Sequence, residues 1–116
     1  MHIDTLCSTL NLGRLHRKRG EAQAAEARLR SATQGFNAAL GSAHQLTVCA
    51  ATALALLLAQ QERTAEAAEL WHHESPLGPM LPETREDARE LASLLRSRGE
   101  EAAVAEIRGT FGLLDV

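Results

Sequence analysis

Residues 46–59 read LTVCAATALALLLA, a run in which Thr47 and Thr52 are the only side chains more polar than a thiol. No charge interrupts it. The run makes a helix of roughly 21 Å, short of the roughly 30 Å of a hydrocarbon core, so it reads as a buried helix and not as a membrane span. A helix that is apolar on every side needs neighbours on every side. Amphipathic stretches flank it in both directions, which places it in the middle of a helical stack.

Upstream, Asp4 or Thr5 can cap a helix with Leu6, Leu10, Leu12 and Leu15 on one broad face, ending at Gly20. A second helix follows, with Ala22, Ala25, Leu29, Ala32, Phe36 and Leu40 spaced by three and four residues and Gly41 after it. Gly35 is its weak point, at a cost of about 1 kcal/mol relative to Ala. Downstream of the central run, TAEAAELWHHE predicts a shorter helix, and SPLGPMLP breaks the pattern. Glu83 or Thr84 opens a fifth helix with Ala88, Leu91, Leu94 and Leu95 inward; EEAAVAEIR forms a sixth, and GTFGLLDV trails off. All three prolines fall in the one linker, at 76, 79 and 82.

The 116 residues carry a net charge of −3, with a pI near 5.9. One domain fits this length. An acidic balance argues against a general nucleic-acid binder. Two cysteines are too few for a disulfide scaffold, and MHIDTLCSTLN has neither a charged leader nor an apolar signal core, so the expected compartment is the cytoplasm.

The helices recur with a period. Thr5, Leu12, Leu15 and Ala25 are matched 42 positions later by Thr47, Leu54, Leu57 and Ala67, and His2 by His44. A third copy lies 37 residues after the second, with Thr84, Leu91 and Leu94. Repetition at this spacing marks a stack of like supersecondary units. The units run over about 2–43, 44–80 and 81–108, with a tail at 109–116.

TLCSTLNLGRLHRKRGEAQAAEARLRSATQGFNAALGSAHQLT resembles a tetratricopeptide repeat, of the longer variety found in kinesin light chain and its relatives. The features that carry the likeness are Leu12 with Gly13, then Gly20, Ala25, Leu29, Ala32 and the exit LGSAH before Thr47. Departures are Ile3 and Gln45 where a proline is expected, Glu62 where glycine is usual, and Val104 at a small-residue position. The resemblance implies an all-α solenoid of antiparallel helix hairpins, about six helices in all. Gly13, Ala55 and Ala92 would permit close approach of the two helices of each unit.

It also implies a concave groove lined by the first helix of each unit. The matching positions are Cys7, Leu10, Arg14, Arg17 and Lys18; then Cys49, Thr52, Leu56, Ala59 and Gln60; then Glu86, Arg89, Ser93, Arg96 and Ser97. Asn11 stands where relatives carry an asparagine that binds peptide backbone, although the second unit has Ala53 there. Basic residues outnumber acidic ones along this groove, so the expected activity is noncatalytic binding of an acidic protein or peptide segment. Leu10, Asn11, Arg14, Arg17, Lys18, Leu56, Gln60, Arg89 and Arg96 are the expected contacts. The alternatives are a structural module that forms homo-oligomers through an apolar C-terminal end and, ranked below it, a small metal-binding protein or enzyme with its site at His72 and His73.

Neither a Ser-His-Asp order nor a Gly-rich phosphate loop, CxxC or HExxH motif occurs, so no enzyme, metal site or cofactor is expected. Glu69, His72, His73 and Glu74 cluster near the end of the fourth helix, where imidazoles beside its negative terminus need no further role. Trp71 is read as a core residue. Cys7 and Cys49 occupy one repeat position on successive first helices, beyond bridging distance, and are expected to be free thiols.

The central placement of the apolar run has a measurable consequence. Leu54→Ala should cost about 2 to 5 kcal/mol, because neighbours on all sides prevent the gap from closing. A melting temperature that scarcely moves would remove that helix from the centre.

Overall fold

The computed structural model describes residues 2–41, 43–70 and 82–111. Among them every regular element is an α-helix: α1 (Ile3–Lys18), α2 (Ala22–Leu40), α3 (Gln45–Gln60), α4 (Thr64–Leu70), α5 (Pro82–Ser97) and α6 (Glu101–Phe111). Each of α1, α3 and α5 packs on the helix that follows it, α2 packs on α3, and α3 packs on α5. The apolar run accordingly sits at the centre, and all residues from Thr47 to Ala59 are buried. No described helix is long and apolar enough to cross a membrane.

One joint recurs three times. The backbone turns left-handed at Gly20 (φ 78°), Glu62 (φ 64°) and Gly99 (φ 81°). At each turn the next residue's N–H reaches back five residues: Glu21 to His16, Arg63 to Leu58 and Glu100 to Leu95, all at 2.9 Å. These are Schellman turns, which satisfy the last carbonyls of α1, α3 and α5 and aim α2, α4 and α6 back along them. A glycine meets the positive φ without strain, whereas Glu62 carries a Cβ into it.

Helix starts recur as well. The Nδ1 of His2 accepts from the Asp4 N–H at 3.2 Å, and the Nδ1 of His44 accepts from the Leu46 N–H at 3.1 Å. Histidine, in its neutral form, thus takes the capping role expected of Asp4 or Thr5, which lie inside α1.

Close approach within the first hairpin depends on missing side chains. A Cβ on Gly13 would stand 2.7 Å from Cδ2 and 2.8 Å from Cγ of Leu29, and a Cβ on Gly35 would overlap Leu6. Gly35 is therefore a packing requirement and not merely a weak point in α2. At the positions equivalent to Gly13, Ala55 and Ala92 are fully buried.

Other expectations change at the ends. Leu6 and Leu10 enter the core, but Leu12 and Leu15 are 41% and 44% exposed, because among the described residues no helix packs on that side of α1. Proline at its first turn lets α5 begin at Pro82, and α6 continues to Phe111 instead of stopping at Arg108. Trp71 and the cluster of His72, His73 and Glu74 lie outside the described residues.

The recurring turn predicts opposite signs for two exchanges. Gly20→Ala should lower stability by about 1 kcal/mol, whereas Glu62→Gly should raise it by up to about 1 kcal/mol, less the small contribution of an exposed ion pair to Arg98. Thermal melts of the two variants check this. Equal signs would mean that the joints are not equivalent.

Candidate interaction surface

Arg14 and Arg17 lie one turn apart near the end of α1. Both reach Asp87. Nη1 of Arg14 is 2.5 Å from Oδ2, and Nη2 of Arg17 is 3.5 Å from Oδ1. Arg17 also faces Glu90, with Nη1 3.8 Å from Oε2, and Gln60 at the end of α3 donates to the same carboxylate at 3.1 Å. The side chains of Arg14, Arg17 and Asp87 are only 13%, 9% and 7% exposed. First and third hairpins are thus pinned together across the second.

The electrostatics of this cluster are those of a costly buried pair. Burial pushes the Asp87 carboxyl above its ordinary range, and Arg14 and Arg17 only partly pull it back. Such groups add little net stability over apolar ones of similar size, while removing one partner strands the others. Arg17 illustrates the cost, since its Nε is buried without a hydrogen-bond partner among the described residues.

The expected binding residues separate into three groups. Arg14, Arg17 and Gln60 do converge, but on carboxylates of this chain. Leu10 and Leu56 are 5% and 0% exposed and give their area to the core, beside buried Cys49, Thr52 and Ala59. Lys18 and Asn11 on α1, and Glu86, Arg89, Ser93, Arg96 and Ser97 on α5, are all exposed.

Asp87 and Glu90 were not among the expected residues. Their signal was present: Thr84, Asp87, Ala88, Leu91 and Leu95 follow a helical core spacing, so Asp87 puts a carboxylate on an inward face. A buried carboxylate demands a cation, and the basic end of α1 supplies two.

A second cluster joins the outer sides of α2 and α4. Arg63 pairs with Glu26 and with Glu66 at 2.7 Å each, and Arg30 pairs with Glu26 at 2.9 Å. Arg63 first, and then Arg30, hold the Glu26 carboxyl below its ordinary range. Beside it, Arg30, Leu58, Glu66 and Leu70 line a cleft of about 300 Å³, whose two charges neutralise each other.

Cys7 and Cys49 are both free, the first half-buried and the second buried, and burial pushes the Cys49 thiol up. Among the described residues no group of His, Cys, Asp and Glu is arranged to hold a metal ion. No family model, curated protein or solved structure matches this chain.

Asp87→Ala should cost about 3 to 5 kcal/mol at neutral pH by stranding two buried guanidiniums. Exchanging Asp87, Arg14 and Arg17 together for apolar residues should recover most of that loss. The folded chain holds the Asp87 proton more tightly than the unfolded chain does. Asp87 therefore contributes most below its unfolded value and loses that contribution as pH rises through the raised folded one. The parent should accordingly lose ground to Asp87→Asn over that rise, and denaturant titrations at several pH values measure the difference.

Proposed function

We propose that this chain is a noncatalytic protein-interaction module, a short tetratricopeptide-like solenoid that takes an acidic helical segment on the exposed face of α5. The observation that carries this reading is internal: Arg14 and Arg17, three residues apart on α1, engage Asp87 and Glu90, three residues apart on another helix. The first helix of a unit thus meets a helix bearing Asp-x-x-Glu through charge-assisted contacts.

The repeat offsets carry the same positions onto α5. Arg96 stands where Arg17 stands two units earlier, and Ser93 where Arg14 stands. Both are exposed, with Arg89 one turn before Ser93 and Lys18 exposed on α1. A partner helix on this face would find at Arg96 the cation that Asp87 finds at Arg17. Arg14 and Arg17 themselves are excluded as primary contacts, because a tethered carboxylate holds them at a high effective concentration. The recurring hairpin joint supports the likeness to tetratricopeptide repeats, which present one helix of each unit to a ligand.

A labelled helical peptide carrying Asp-x-x-Glu, titrated by fluorescence anisotropy, tests this reading. Binding should weaken with salt, and Arg96→Glu should reduce affinity about tenfold or more, since a charge is reversed as well as lost. Arg28→Glu on α2 should change little. Equal losses at Arg28 and Arg96, or no binding at all, would overturn the proposal.

A further inference from the structure

The repeat offsets identify a second surface, on α1. Thr5, Ser8, Leu12 and Leu15 of α1 correspond to Thr47, Ala50, Leu54 and Leu57 of α3 and to Thr84, Asp87, Leu91 and Leu94 of α5. These four positions form one stripe along a helix, at spacings of three, four and three. On α3 all four are buried; on α5 three are buried and Leu94 is half-buried.

On α1 the two leucines are 41% and 44% exposed, against 1% for Leu54, 3% for Leu57 and 0% for Leu91. Thr5 and Ser8 are exposed too. Among the described residues, α3 and α5 each pack on an earlier helix along this stripe, and none packs there on α1. The stripe on α1 therefore has the chemistry of a helix-stacking face without its helix.

We propose that this face pairs with the same face of a second copy, the two α1 helices running antiparallel about a two-fold axis. Charge supports that occupant and that direction. Asp4 at the start of the stripe and Arg19 just past its end are exposed on the same side of the helix axis. An antiparallel pair brings Asp4 of each copy against Arg19 of the other, whereas a parallel pair sets like charges together. Both termini also keep the sign that suits the helix dipole, an acid at the start and a base at the end. A two-fold contact closes on itself, so it yields a dimer and not a filament. The contact spans a single 16-residue helix per copy, which makes the association weak and concentration-dependent. It rests on the repeat offsets, the exposure of Leu12 and Leu15 and the charges of Asp4 and Arg19, and does not depend on an acidic partner at α5.

Sedimentation velocity of the full chain across a wide concentration series tests the pairing. The weight-average sedimentation coefficient should climb from monomer towards dimer, and Leu12→Glu with Leu15→Glu should hold the chain at monomer with its helical circular-dichroism signal unchanged. Asp4→Lys alone and Arg19→Asp alone should each weaken the dimer, and the two together should restore it, because the swapped charges again face each other across the axis. A parent chain that remains monomeric throughout would overturn the proposal and leave the stripe to a helix of a different protein. Association that survives the leucine exchanges, or a charge swap that fails to rescue, would overturn it equally. The peptide titration with Arg96→Glu reads a different face, so either result can fail while the other holds.

Discussion

The constraint on which this structure depends is that α3 has no side that water can wet. Thirteen consecutive residues, Thr47 to Ala59, are buried. An isolated helix of that composition would gain nothing from amphipathicity, so its stability comes from coverage by α2, α4, α5 and, more lightly, α1. The rest of the chain can be read as the means of supplying that coverage. Three left-handed turns return each hairpin on itself, and two glycines in the first hairpin leave room for the Leu29 and Leu6 side chains between α1 and α2. Polar atoms inside this arrangement are few: Thr52 returns its hydroxyl to the Val48 carbonyl at 2.7 Å, so the helix interior satisfies it.

Much of this was legible from local pattern, because local pattern is where its causes lie. The apolar run, the glycines at 20 and 99 and the three-and-four spacing of α2 each act within a turn or two of chain. Glu62 was visible as an oddity, a glutamate where the repeat has glycine, and its positive φ shows the position keeping its backbone shape despite the side chain. The histidine caps could have been read from the matched pair His2 and His44, but histidine is an uncommon cap and stronger formers stood beside it. Leu12 and Leu15 misled for a different reason. Periodicity says which residues share a face, not whether a neighbour exists to cover it.

The candidate site was legible by position and not by pairing. Matching the repeats named Arg14, Arg17 and Gln60 together but could not show that they converge on Asp87 and Glu90 of the same chain. That outcome depends on how α1 and α5 sit about α3, and the packing of helices distant in sequence leaves no mark on any one residue. Only the inward position of Asp87 hinted at it.

The reach from α1 to α5 also changes what kind of stack this is. A simple repeat array is held by contacts between adjacent units, so its stability is close to a sum of nearest-neighbour contributions and its ends fray independently. Here Arg14 and Arg17 bind the first unit to the third, and Arg98 of the third pairs with Glu62 in the turn of the second at 2.7 Å. Burial makes the charge of Asp87 costly, and Arg14 and Arg17 on α1 offset part of that cost. Loss of α1 and α2 would therefore remove the partners of Asp87 on α5 as well as the contacts that α2 makes with α3. The charge cluster between α1 and α5 and the pair between Glu62 and Arg98 thus tie together helices that are distant in sequence, across the apolar face that α3 offers to both.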